Sequence, residues 1–199
     1  IGAGPADTVI TSSSTGNIYV FDLTGRGQPQ SVRDLRIVIP ASFPDVGGNG
    51  AGAQVRNGTV QNVEIESRNP GSSGIYFNGG GLFRDGLVHG TAGGSLVYGV
   101  VPNASQAGTL TVERTTISTD AGNGTAVRAD AAIIPVTLRR VVLSGLNAVT
   151  AMNGQSVQMS DCLVTVSGAG LAVLGGASAT SSLTARNTTI VALPGNTQQ

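Results

Sequence analysis

One phrase returns eight times along this chain, and it limits the fold more than any other feature. ADTVIT (6–11), RDLRIV (33–38), QNVEIE (61–66), RDGLVH (84–89), ERTTIS (113–118), RRVVLS (139–144), SDCLVT (160–165) and RNTTIV (186–191) each set a mostly polar pair before a short alternating run. Inside the run one position is always aliphatic: Ile10, Ile37, Ile65, Val88, Ile117, Leu143, Val164 and Ile190. The second residue of the pair recurs at irregular intervals of 21 to 29 residues. A unit that short cannot enclose its own apolar face, so successive units must stack to bury it.

A second echo follows each phrase, a glycine and then alternating apolar residues, as at Gly52 to Val55, Gly74 to Phe77, Gly124 to Val127, Gly145 to Val149 and Gly170 to Val173. Two or three short strands per unit are implied, separated by Gly, Asn, Ser and Pro turns. Helix is disfavoured because β-branched residues and Gly dominate and no sustained i, i+3, i+4, i+7 stripe exists. The expected fold is all-β, a right-handed single-stranded parallel β-helix (solenoid) of about eight coils. At ~4.8 Å per coil it would form a prism on the order of 40 Å long. Variable spacing is then loop length at the corners, with long excursions at Thr24 to Gln30, Phe43 to Gly50 and Gly90 to Gly108.

Composition removes several functions. Gly makes up 30 of the 199 residues but not every third one, which excludes collagen. Forty per cent hydrophobic content at zero net charge does not suit a charge-extended disordered chain. The 11 basic residues, all Arg, are matched by 11 acids, so no basic surplus marks nucleic acid as a partner. No stretch approaches the ~20 apolar residues of a membrane span. The single cysteine, Cys162, has no intramolecular disulfide partner and falls at an inward position as a small hydrophobe. Ile1 follows no initiator Met, and residues 1–199 are expected to form one β-helix domain cut from a longer protein.

IGAGPADTVI, the recurrent polar pair before V-x-I and the G-x-x-V echo together resemble the right-handed parallel β-helix superfamily, the pectate-lyase-like group, over essentially the whole chain. The resemblance implies the fold. For function it implies a range, from polysaccharide lyases, glycoside hydrolases and epimerases to tailspikes and non-catalytic surface proteins, so function must be argued from sites.

In the alternating runs Leu35 and Ile37, Val63 and Ile65, and Cys162 and Val164 should point inward, leaving their neighbours outside. Arg36, Glu64, Glu66 and His89 then fall on one outer face of three successive coils. Glu64 and Glu66 are two apart on one strand, ~6.5 to 7 Å between Cα atoms, which overlaps the carboxyl separation of inverting glycoside hydrolases. In a catalytic reading Glu64 and Glu66 are acid and base, His89 relays a proton, and Arg36 and Tyr76 bind substrate. The simpler reading is an ion-pair ladder in which Arg36 meets Glu64 and His89 sits beside Glu66. The resemblance favours the ladder, because lyases of this fold imply calcium-binding acids and hydrolases imply several Asp, and these outer columns hold neither Lys nor Asp.

The column Asp7, Asp34, Asn62, Asp85, Arg114, Arg140, Asp161 and Asn187 repeats in every coil, which a catalytic residue need not do. It reads as a structural corner, since short polar side chains satisfy turn amides. Arg33, Arg84, Arg139 and Arg186 precede it as solvated partners of that corner, with a binding stripe for anionic glycans as the sharper alternative. GGNGAG (47–52) lacks the ligand Asp of the calcium-binding nonapeptide turn, and one His with one Cys makes no zinc cluster. No metal or cofactor is expected. The expected role is an extracellular or cell-surface segment, structural or carbohydrate-interacting and non-catalytic; the alternative is a polysaccharide lyase or glycoside hydrolase acting on the outer face. Association through uncapped ends or through the late-coil face at Val142, Leu163 and Val191 is a further expectation.

Overall fold

A computed structural model of the chain describes residues 8–11, 19–23, 30–42, 51–69, 73–91, 95–100, 108–120, 124–129, 134–168, 171–174 and 180–193, with 95–100 and 171–174 described as backbone. These residues form twenty strands and no helix, and every strand pairing between them is parallel.

Each complete coil crosses three faces. The first, here the entry face, stacks β7 (Gly81–Arg84), β10 (Leu110–Glu113), β13 (Val136–Arg139), β16 (Ser156–Ser160) and β19 (Ser182–Arg186). The middle face stacks β1 (Val9–Thr11), β3 (Ser31–Ile39), β5 (Gly58–Ser67), β8 (Leu87–Gly90), β11 (Thr116–Thr119), β14 (Val142–Gly145), β17 (Leu163–Val166) and β20 (Thr189–Ala192). The return face is a separate seven-stranded sheet of β2 (Tyr19–Leu23), β4 (Ala51–Val55), β6 (Ser73–Asn78), β9 (Ser95–Val100), β12 (Thr125–Ala129), β15 (Asn147–Met152) and β18 (Leu171–Leu174). The glycine-led echoes of the sequence supply return-face strands.

The expected eight equivalent coils are corrected to a solenoid of about five turns. Eight strands do stack on the middle face, but the separate entry strand recurs only from β7 onward, five times. Earlier, β3 and β5 are single strands of 9 and 10 residues that run across both entry and middle faces. The sequence phrase marks the corner and the middle strand of every rung, including the early rungs whose entry and middle faces are one continuous strand and the end rungs that are incomplete. Of the expected excursions, 24–29 and 43–50 lie outside the described residues, and 90–108 contains β9 rather than an unbroken loop.

The repeated polar pair acquires a physical meaning at the corner between entry and middle faces. Asp34, Asn62, Asp85, Arg114, Arg140, Asp161 and Asn187 all have positive φ, between 46° and 59°. One left-handed residue turns the chain from one face to the next, and Asn and Asp tolerate that conformation best among residues with a side chain. The ladder continues round the turn. The N–H groups of Asp85, Arg114, Arg140 and Asp161 donate to the last entry-strand carbonyl of the following coil, at 3.0 to 3.2 Å. Asn62 donates to Asp34 at 2.8 Å and Arg114 forks onto Asp85 at 2.6 and 3.1 Å. Asp7 lies outside the described residues.

The inward columns are continuous. Ile37, Ile65, Val88, Ile117, Leu143 and Val164 are all fully buried on the middle face, as the alternation requires. Ile190, in the last described rung, is 49% exposed. Val60, Phe83, Val112, Leu138 and Met159 do the same on the entry face, and Val55, Phe77, Ala129 and Ala151 on the return face. Each fully buried aliphatic side chain stabilises by ~1.5–3 kcal/mol, so stacking supplies what no single coil can. Gly86 shows how tightly the coil is filled: a Cβ there would lie 2.4 Å from the Phe83 ring. Among the described residues no helix is long and apolar enough to cross a membrane.

Candidate functional site

The residues singled out by charge and alternation meet on the outer surface of β3, β5, β8 and β11. Pairing sets Arg36 beside Glu64 and Glu64 beside Leu87, and in the next column Val38, Glu66, His89 and Ser118 follow one another. Arg36 reaches both acids. Its Nη2 donates to Glu66 Oε2 at 2.5 Å, and its Nε lies 3.3 Å from Glu64 Oε1 without hydrogen-bond geometry. Arg68, two residues beyond Glu66 on the same side of the chain, donates through Nε to Glu66 Oε1 at 2.5 Å. Glu66, whose side chain is 15% exposed, is therefore gripped on both oxygens by different guanidinium groups.

That grip sets its acidity. The hydrogen bond from Arg68, aided by Arg36 and opposed by partial burial, holds the Glu66 carboxyl below the ordinary carboxylate range. A depressed carboxyl suits an ion-pair strap between coils. It opposes the protonated state that a general acid must hold near neutral pH.

His89 bridges rungs in the same way. Its Nδ1 is 2.8 Å from Ser118 Oγ and its Nε2 is 3.3 Å from Asp120 Oδ2. Serine, imidazole and carboxylate in that connectivity can activate a nucleophile when free N–H groups face the developing oxyanion. Here β11 is a central strand paired with β8 on one side and β14 on the other, so its N–H groups are committed to the ladder. The three side chains make a clip across two coils.

Tyr76 is elsewhere. It lies on β6 of the return sheet, in register with Gln54 and 9% exposed, its ring 6.4 Å from that of Tyr19 and tilted by 33°. Burial raises its phenol above the ordinary value. The structure thus brings Arg36, Glu64, Glu66 and His89 together and leaves Tyr76 out of that group. Phe77, next to it, is fully buried.

Sequence reasoning missed Arg68 and Asp120. Both continue their strands' outward alternation by one more step, Glu64, Glu66, Arg68 and Thr116, Ser118, Asp120, past the point where each phrase was cut. Cys162 is buried, and its thiol is 3.2 Å from the Ser160 carbonyl. Burial pushes it above the ordinary thiol value, the opposite of what a nucleophilic cysteine needs. Among the described residues no group of three His, Cys, Asp or Glu is placed to hold a metal ion.

Further along the middle face the same outer columns turn apolar. Val142, Leu163 and Val191 are 39%, 41% and 43% exposed, and Val142 is the direct register neighbour of Leu163. Compared with protein-family models, with curated proteins and with solved structures, the chain gives no significant match.

Proposed function

We propose that this chain is a non-catalytic, structural or carbohydrate-interacting segment of a β-solenoid that works outside the cell or at its surface. The observation that carries the reading is the double grip of Arg36 and Arg68 on Glu66. The Glu66 carboxylate spends its charge on holding coils together. Support for carbohydrate as the partner comes from an outward row of hydroxyl and amide side chains on the entry face, Thr59, Thr111, Thr137, Gln158 and Thr184, in nearly unbroken register. Extracellular placement follows from that partner class, and the pectate-lyase-like resemblance is in keeping with both.

The second reading is a polysaccharide lyase or glycoside hydrolase, favoured by one guanidinium, Arg36, spanning the Glu64 and Glu66 carboxylates beside His89. One experiment separates the two. Neutral, uronate and sulfated polysaccharides are screened for retention by the chain and for depolymerisation. The proposal expects retention without chain cleavage. Cleavage that falls at least ~100-fold in Glu64→Gln or Glu66→Gln, the range that general acid–base catalysis supplies, would establish the enzyme instead.

A further inference from the structure

The late rungs of the entry face carry cations outside any ion pair among the described residues; the register neighbour of Arg139 on the preceding rung, Glu113, is engaged by Arg114 at 3.0 Å. Arg139 ends β13, Arg140 takes the left-handed corner after it, and Arg186 ends β19; all three are exposed. Among the described residues none of them has a carboxylate within ion-pair distance, whereas Arg84 and Arg114 on earlier rungs lie 4.0 and 2.6 Å from Asp85. From Val136 onward the sequence holds these three arginines and a single acid, Asp161. Asp161 sits in the corner column and accepts the Asn187 amide at 3.4 Å.

A groove of about 400 Å³ opens on this surface, lined by Thr137, Arg139, Gln158, Ser160, Thr184 and Arg186 among others. Arg139, Ser160 and Arg186 are consecutive members of one register column. The two guanidinium groups therefore leave strands two rungs, roughly 9–10 Å, apart, with the Ser160 hydroxyl between them. Two donor forks flanking a hydroxyl along one column offer enough donors for a tetrahedral oxyanion with three terminal oxygens, more than a two-oxygen carboxylate can accept from. Alongside runs the column Thr137, Gln158 and Thr184, offering hydroxyl, amide and hydroxyl groups at successive rungs. Those groups exchange hydrogen bonds with sugar hydroxyls in either direction. Among the described residues no aromatic side chain lines the groove to offer the stacking platforms that hold single-stranded nucleic acid.

We propose that this groove binds a sulfated glycan, with a sulfate ester seated over Ser160 between Arg139 and Arg186 and the sugar lying along Thr137, Gln158 and Thr184. Arg140 adds attraction from the adjoining corner. The inference rests on the carbohydrate-interacting reading and adds the class of ligand and its place.

The test is calorimetric titration of the full chain with heparin, with desulfated heparin that keeps its carboxylates, with neutral dextran and with single-stranded DNA. The variants are the double change Arg139→Gln with Arg186→Gln, the single change Ser160→Asp, which sets a negative charge at the seat, and Arg84→Gln as control. Circular dichroism checks that each is folded, and Ser160→Asp decides the matter should the double variant not fold. Heparin is expected to bind, and both desulfation and either groove change to weaken it at least ~10-fold, while Arg84→Gln stays within ~2-fold. Undiminished heparin binding by folded groove variants, equal binding of desulfated heparin, or equal binding of DNA would overturn the proposal. Binding of neutral or desulfated glycans that the groove changes leave untouched would overturn it and keep the wider carbohydrate reading. No binding by any glycan would end both.

Discussion

Arg36, Arg68 and Arg114 on the early rungs each meet a carboxylate at 2.5 or 2.6 Å, while Arg139, Arg140 and Arg186 on the late rungs meet none among the described residues. Both regions rest on the same inward columns. Ile65 and Leu143 are equally buried, and the corner residues Asn62 and Arg140 have nearly the same φ, 51° and 54°. On the middle face the contrast recurs within one column, where Arg36 and Glu64 give way to Val142 and Leu163. Stacking constrains what points in and leaves what points out free to differ from rung to rung. A net charge of zero therefore conceals two surfaces, one internally neutralised and one with unpaired cations.

The largest effect should erase the contrast. Ile65→Asp and Leu143→Asp each place an unpaired carboxylate in a continuous aliphatic column and should abolish cooperative folding alike, whichever region they fall in. Urea unfolding followed by circular dichroism reads this. A cooperative transition surviving in one variant alone would show that the two regions do not share one core.

Gly86→Ala probes how far packing differs between them. The Phe83 ring occupies the space of a Cβ at Gly86, whereas the equivalent late-rung positions hold Val141 and Cys162. Overpacking at Gly86 should cost about 1–3 kcal/mol in the same unfolding measurement. A neutral result would mean that the ring has an alternative rotamer to move into.

Charge removal should separate the regions more gently. Glu66→Gln removes the charge that two guanidinium groups share and turns one accepting oxygen into a donor amide facing a guanidinium; it should cost about 1–2 kcal/mol, against less than ~0.5 kcal/mol for Arg139→Gln, which breaks no ion pair among the described residues. The Glu66 carboxyl titrates below its ordinary value of 4.5 in the folded chain, so over that range the unfolded chain binds more protons. Its stabilisation is whole above the ordinary carboxylate range and is lost as pH falls through the lowered value. The melting temperature should fall more steeply below pH 4.5 in the native chain than in Glu66→Gln. Parallel curves would remove Glu66 from the list of stabilising groups.

The smallest expected effect is a gain. Arg140 holds a left-handed conformation without the cross-coil side-chain bond that Asn62 makes to Asp34. Arg140→Asn puts a residue there that tolerates positive φ better, and should raise stability by about 0.5 kcal/mol. A loss of stability would show that the arginine has a structural contact after all.

Much of the candidate site is legible in the sequence alone. Alternation put Arg36, Glu64, Glu66 and His89 on one outer face because a strand has a side-chain period of two, and counting along the phrase aligned their rungs. Arg68 and Asp120 were not read, because they lie just past the phrases used for alignment. Tyr76 reads from the sequence as an aromatic platform for a sugar, and only the return sheet, which follows the middle face, shows that it belongs to another surface. The coil count differed because the phrase recurs on every rung alike, whereas β3 and β5 run through the corner as continuous strands and separate entry strands begin only with β7.

By itself the sequence determined the parallel stacking, the identity of the inward columns and the corner ladder, since each follows from a local rule repeated eight times. Burial needs a stack, a stack needs one aliphatic residue at the same place in every rung, and a sharp corner needs a residue that accepts positive φ. The tertiary structure decided which charges meet. Arg36 and Glu66 are thirty residues apart, and Arg139 and Arg186 are forty-seven. Whether a guanidinium finds a carboxylate depends on which rung lies above it and which rotamer reaches across, and no local pattern encodes either.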